Sequence, residues 1–166
     1  MILEDLTHIL TEARSFEDAD VDFDDLMEIL EAARLAPSAM NSQIWRFFVV
    51  GRGESLDRLA HIAGKRAFQT APVVIVACAS PYFLKKRGRE QPYFMIDVPI
   101  AVSHLLLSAA DLGLGSVVTY QFDEETALSI VGVPKGHRAV ALVALGYIGE
   151  QSEGADTDEY RAVEIR

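Results

Sequence analysis

The chain has 166 residues, enough for one domain with a core of its own and too few for two of ordinary size. Half the residues are hydrophobic and 24% are charged, which is globular composition and excludes a disordered or fibrous chain. Twenty-five acidic against fifteen basic residues leave a net charge of −10, which argues against nucleic acid or an anionic membrane surface as the partner.

In chain order, apolar spacing predicts a short helix over residues 3–12 and a second over about residues 23–36. Asp22 caps the second, Leu26, Ile29, Leu30 and Ala33 share one face of it, and Pro37 ends it. Residues 47–50 read as a buried strand, 54–63 as a surface helix, and 73–79 as a wholly apolar, β-branched strand, and both strands read as central. Residues 97–112 are apolar on nearly every side, which predicts a helix through the middle of the domain, stopped by Gly113 and Gly115. A third strand over 116–120, a helix from the Asp123 cap to about residue 131 and a fourth strand over 139–145 complete the set. The elements intermix without strict alternation, so an α+β fold, a buried sheet between helices, fits better than a doubly wound parallel sheet. Strand order is left open. One domain is expected over residues 1–149, followed by an acidic, polar tail over 150–166.

Charge is uneven along the chain. Residues 1–31 hold eleven acids and one base, Arg14, whereas residues 46–90 hold nine bases and three acids. The two regions either attract one another within the fold or across a dimer, or the basic one receives an anion. Apolar stretches are broken before the roughly 20 residues of a bilayer span, and Glu4 and Asp5 stand where a signal peptide is basic, so a cytoplasmic protein without a membrane partner is expected. Cys78 is the sole cysteine, which precludes an internal disulfide, and it reads as packing. With four scattered histidines it offers no metal spacing, so no metal is expected.

Nucleotide motifs fail on inspection. Gly51-Arg52-Gly53 follows a strand and precedes a helix, but Leu56 occupies the third glycine position. Gly113-Leu114-Gly115 lies between helix and strand, the reverse of the order that aims amides at a pyrophosphate, and reads as a tight corner. No serine stands in a Gly-x-Ser-x-Gly elbow. The segment from Ala36 to Phe47 stands apart. Ser38, Asn41, Ser42 and Gln43 are dense in donors and acceptors able to read the edge of a flat heterocycle, between the stiff flanks Pro37 and Trp45. They equally suit a turn that satisfies its own backbone, with Trp45 in the core.

The run Pro37-Ser38-x-x-Asn41-x-Gln43-x-Trp45, preceded by Ile29-Leu30-Glu31-Ala32-Ala33-Arg34, resembles the signature of the FMN-dependent nitroreductase family. Arg14-Ser15-Phe16 resembles the end of that family's N-terminal element, and Ala71-Pro72 with residues 73–78 its second strand. Asp97 through Leu112-Gly113-Leu114-Gly115-Ser116, then Phe122-Asp123, Val133-Pro134, Ala144-Leu145-Gly146-Tyr147 and Arg161 continue the likeness along nearly the whole chain.

The resemblance implies a three-layer α-β-α fold around a mostly antiparallel sheet, in an intertwined homodimer with two FMN sites shared between subunits. Pro37, Ser38, Ala39, Asn41 and Gln43 of one subunit would contact the flavin. Arg14, Arg161 and the turn Thr119-Tyr120-Gln121 of the other would hold the rest, with Lys65 and Arg66 as secondary candidates. The tail would wrap the partner. No catalytic side chain is implied, because the flavin N5 carries the chemistry: NADH or NADPH reduces it and a nitroaromatic, quinone or similar planar acceptor takes the electrons in ping-pong exchange. A relative using oxygen or a halogenated aromatic, or a non-catalytic ligand-binding descendant, are the alternatives.

Several positions depart from the family pattern. Leu10, Thr11 and Glu12 stand where a further arginine and serine are usual, Ile44 replaces the proline before Trp45, and Tyr120 stands where a small residue is common. Tyr120 either narrows or stacks on the substrate space, or is an ordinary strand-end aromatic. Arg14 could equally neutralise Glu12, Glu17 or Asp18. His104, reached from Asp97 through Ile100 or Ala101, two helical turns in all, reads as a core histidine or as a proton donor.

Overall fold

The computed structural model of the protein describes residues 13–80 and 92–149. The predicted helix over 3–12, the basic cluster at 85–89 and the tail over 150–166 lie outside the described residues.

Asp22 caps helix α1 (Phe23–Arg34), its carboxylate accepting the Asp24 N–H at 2.8 Å and so satisfying one of the donors a helix start leaves unpaired. Strand β1 (Trp45–Gly51) follows, then helix α2 (Glu54–Ala63), which closes on left-handed Gly64, and strand β2 (Val73–Ala79). Helix α3 (Phe94–Asp111) leads through Gly113 into strand β3 (Gly115–Thr119). There the Leu114 N–H reaches the Ala109 carbonyl and the Gly113 N–H the Ala110 carbonyl, the paired bonds of a helix stop built on a left-handed residue, so Gly113-Leu114-Gly115 is the expected corner. Asp123 caps helix α4 (Glu124–Val131) by accepting the Thr126 N–H at 2.6 Å, and strand β4 (Arg138–Gly146) ends the set.

The four strands form one sheet in the order β1-β2-β4-β3, and every neighbouring pair is antiparallel. All seven residues of β2 are buried, and successive side chains enter opposite layers. Ile75 and Ala77, with Val143 and Leu145 of β4, face Ile29 and Ala33 of α1 and Val98, Val102 and Leu105 of α3. Val74 and Val76, with Leu142 and Ala144, face Leu56, Leu59 and Ala63 of α2 and Ala127 of α4. The fold is therefore the α+β, three-layer α-β-α arrangement expected, with a sheet that is antiparallel throughout the described strands. Each fully buried Val, Ile or Leu contributes about 1.5–3 kcal/mol.

Some details differ from the expectation. β1 begins two residues early, at Trp45, because the ladder runs on until Trp45 faces Ala79 and the Ser80 N–H reaches the Ile44 carbonyl at 2.8 Å. β1 is also an edge strand, exposed or half-buried from Arg46 to Gly51, and not the buried central strand expected, because it pairs on one side only, which is why the exposed Arg46 is tolerated. α3 begins three residues early, at Phe94, and contains Pro99, which cannot donate to the Met95 carbonyl. It is also a helix of one layer rather than one surrounded on all sides: Met95 is 61% exposed, and Ile100, Leu106 and Leu107 are half-buried. Among the described residues α3 is the one helix long and apolar enough to cross a membrane, and its buried residues belong to the core against the sheet.

Gly146 is required by packing. A Cβ there would sit 2.7 Å from Pro72 Cδ and 3.0 Å from the Phe16 ring, neither of which can swing aside, whereas at Gly115 the nearest atom belongs to the partly exposed Ile148 side chain. Gly146→Ala is expected to lower unfolding free energy by about 1–3 kcal/mol in urea titration, more than Gly115→Ala does. Burial, with a smaller effect of the Glu124 carboxylate, pushes the Cys78 thiol up from 9.0 to about 12. The stability linked to this neutral thiol is complete below pH 9 and is lost as pH rises toward 12. A thiol reagent at neutral pH should label Cys78 only after unfolding.

Candidate functional site

The segment singled out between α1 and β1 adopts an unusual backbone. Leu35 ends α1, Ser38 is extended, and a single 3-10 turn over Ala39–Asn41 follows. Met40, Asn41 and Gln43 have φ of 54°, 54° and 45°, so three non-glycine residues within four lie in the left-handed region. Each costs on the order of 1–2 kcal/mol for a residue bearing a Cβ, less for asparagine. Such strain persists only where the surroundings over-determine it.

Hydrogen bonds supply that determination. The Ser38 hydroxyl accepts the Gln43 N–H at 3.0 Å, the Ser38 carbonyl accepts the Asn41 N–H at 3.0 Å, and Gln43 Nε2 donates to Asn41 Oδ1 at 2.8 Å. From α3, the carboxylate of Asp97, only 2% exposed, accepts the Ala39 N–H at 3.1 Å and takes a longer 3.5 Å contact from the Ser42 hydroxyl. A hydrogen bond to a charged group is worth about 1.5–3 kcal/mol, enough to offset one or two left-handed residues. The sequence reading treated Asp97 only as a family position and a neighbour of His104. With the helix expected to begin at residue 97, an acid there resembled an ordinary helix start; only the three preceding residues, Phe94, Met95 and Ile96, which extend the apolar run, could have marked it as lying within the first turn.

Pro37, Asn41 and Gln43 are exposed, and Ser38 and Ala39 are half-buried. The Asn41–Gln43 bond uses one oxygen and one N–H, leaving outside it the Asn41 amide N–H groups and the Gln43 carboxamide oxygen. This surface carries donors and acceptors in a fixed arrangement.

A second group of predicted residues lies along β3, at the other edge of the sheet. The Ala13 N–H reaches the Ser116 carbonyl at 3.4 Å, which sets Arg14 near the start of β3. The chain then pairs with the end of β4: Phe16 bridges to Ile148, and the Glu17 N–H donates to the Tyr147 carbonyl at 2.9 Å. Lys65 Nζ donates to the Val118 carbonyl at 2.9 Å, so its ammonium also sits on this edge, next to exposed Arg66. Beyond the end of β3, Thr119 is buried and its hydroxyl accepts the Gln121 N–H at 3.3 Å, which fixes the turn that presents Tyr120 and Gln121. Tyr120, predicted as the last residue of the strand, falls in this turn and is 53% exposed. Arg161 lies outside the described residues.

The predicted residues thus form two groups at opposite edges of one sheet, three strand spacings or about 14 Å apart across it. The acidic and basic regions do attract one another elsewhere. Arg52 pairs with Asp18 at 2.8 Å and Asp20 at 3.0 Å, beside a cleft of about 320 Å³ lined by Phe16, Leu56, Asp57 and Thr70 that contains no predicted site residue. His104 is half-buried and lies outside both groups; Trp45 and Cys78 are buried in the core.

An antiparallel sheet between helix pairs, with a strained polar loop at one edge and basic side chains near the other, defines a layered α+β protein. The nitroreductase family model matches residues 12–67 and 63–147, and the chain belongs to that family. It is 33% identical over 157 residues to the NADH dehydrogenase of Thermus thermophilus, with 76% of this chain and 77% of that protein covered. A nitroreductase family protein of Clostridium difficile 630 superposes with a TM-score of 0.87 at 25% identity, covering 99% of this chain and 95% of that one. An FMN-dependent nitroreductase of Clostridium difficile R20291 superposes with a TM-score of 0.79 at 26% identity, covering 96% and 98%.

Partial burial raises the Tyr120 phenol above its ordinary value. The difference in near-ultraviolet absorbance between the protein and its Tyr120→Phe variant should therefore titrate at higher pH than a solvated tyrosine. Titration at the solvated value would mean that the turn does not shelter the ring.

Proposed function

We propose that the protein is an FMN-dependent oxidoreductase that acts as a homodimer, each site being built from the loop of one copy and the cationic edge of the other. The observation that carries this reading is the strained Ser38–Gln43 loop, rigidly bonded yet exposing amide and hydroxyl groups, on a chain of this family. The donor set fits the cofactor: neutral polar groups for the edge of a heterocycle in one group, and Arg14, Lys65 and Arg66 for an anionic phosphate in the other. A bound FMN supplies two-electron chemistry, from NADH or NADPH to a nitroaromatic, quinone or similar planar acceptor.

The chain's own residues bind and orient. Ser38, Asn41 and Gln43, with Pro37 and the Ala39 backbone, hold the ring. The Arg14 guanidinium offsets negative charge, helped by Lys65, Arg66 and Arg161. Tyr120, an exposed aromatic on a fixed turn, faces the space for the planar acceptor. Apolar surface supports the second copy. Phe23, Met27 and Leu35 of and beside α1, Met40 of the loop and Met95 of α3 are all about half exposed or more, a set of side chains suited to an interface. The tail over 150–166 is assigned to the partner's surface.

Purified protein incubated with FMN is expected to retain the yellow colour after desalting, and its thermal midpoint should rise with FMN concentration as binding linkage requires. Colourless protein with an unmoved midpoint would end the reading. Arg14→Ala should weaken FMN roughly tenfold or more, the worth of a charge-assisted bond. Shared sites make a further prediction. Arg14→Ala and Asn41→Ala subunits, each a poor FMN binder, should on mixing and exchange recover about a quarter of the sites, since half the dimers are mixed and each mixed dimer has one intact site. No recovery would place both residues in one subunit's site.

A further inference from the structure

Among the described residues, Asp97 is the one carboxylate buried in the core. Its neighbours on α3, Val98 and Ala101, pack against the sheet, where an apolar side chain would serve the fold better than a charge withdrawn from water. Its oxygens reach across to the loop instead, one to the Ala39 N–H at 3.1 Å and one to the Ser42 hydroxyl at 3.5 Å. Those two donors bracket Met40 and Asn41, two of the three left-handed residues. With both flanks tied to α3, the residues between them cannot relax to the right-handed region without breaking one of the ties.

We propose that Asp97 is a positioning residue for the FMN site. Its carboxylate holds the loop in the conformation that presents Ser38, Asn41 and Gln43, and so sets cofactor affinity without touching the cofactor. The inference rests on the FMN reading of the loop, and two measurements separate their fates: hydrogen exchange of residues 38–44 in the unliganded protein, and FMN affinity by flavin fluorescence. Asp97→Leu keeps the same branched, four-heavy-atom side-chain skeleton and removes both acceptors. It should leave the unliganded thermal midpoint equal to or above that of the parent, speed exchange in the segment roughly tenfold, and weaken FMN roughly tenfold or more. Asp97→Asn retains an oxygen for the Ala39 N–H and offers its amide to the Ser42 oxygen, so it should return both values to within roughly threefold of the parent.

Parental exchange and affinity in Asp97→Leu would overturn the proposal. So would a thermal midpoint that falls in step with affinity, because that is the behaviour of a residue needed only for the fold. Should Asp97→Leu not fold, Ser42→Ala removes one of the two donors from a half-buried side chain. Exchange and affinity shifted roughly threefold would support the proposal, and parental values would refute it. If the parent itself binds no FMN, the FMN reading and the cofactor role of Asp97 fall together, and exchange alone reports whether the carboxylate holds the loop.

Discussion

Everything in this fold follows from a central strand that is apolar on both faces. All seven residues of β2 are buried, and alternate side chains point into separate layers, so the sheet needs helices above and below. α1 and α3 cover one face, α2 and α4 the other. Because α1 and α3 share a layer, the start of α3 and the chain leaving α1 come close together, at the end of the sheet where β1 begins. The loop from Pro37 to Gln43 and the first turn of α3 therefore meet. Hydrophobic layering places the loop, and the polar bonds refine its conformation.

Buried polarity follows the same geography. The buried polar residues among those described are Ser80, Asp97 and Thr119, which follow β2, open α3 and end β3. Each serves a connection rather than the core. The Ser80 N–H anchors the residue before β1, Asp97 anchors the loop, and Thr119 anchors the turn that carries Tyr120. Among the described residues, an interior with almost no polar side chains leaves the helix layers free to pack by shape, while side-chain hydrogen bonds gather where conformation matters. The outward-facing ion pairs, such as Arg34 with Glu31 and Arg138 with Glu124, lie on exposed or partly exposed side chains and add little to stability.

The element plan was legible in the sequence because its signals are local. Asp22 and Asp123 do cap helices, Gly113 does stop one, and the apolar runs at 73–79 and 139–145 are central strands. The Pro37–Gln43 segment also stood out by composition, and its order in the chain agreed with a known family. What could not be read was non-local. The bond from Asp97 to Ala39 spans 58 residues, and no spacing rule encodes it. Strand order was likewise open, and with it the fact that the two groups of site residues sit on opposite edge strands. The start of β1 was hidden by Arg46, whose charge is harmless only because the strand lies at an edge.

That separation bears on why the reading calls for two copies. A ligand touching both the loop beside β1 and the cations beside β3 of one chain would have to lie across the end of β2 and β4. A second copy related by a two-fold axis removes the difficulty, because one chain's loop can face the other's β3 edge, and symmetry repeats the arrangement to give two equal sites. The same operation addresses the side of α3 left uncovered. A helix apolar all round is stable in water only when buried on all sides, yet Met95 and, less fully, Ile100 and Leu106 are open in the single chain. Met40, in the strained loop between the two donors that Asp97 holds, is 67% exposed and adds a further apolar side chain for the proposed interface.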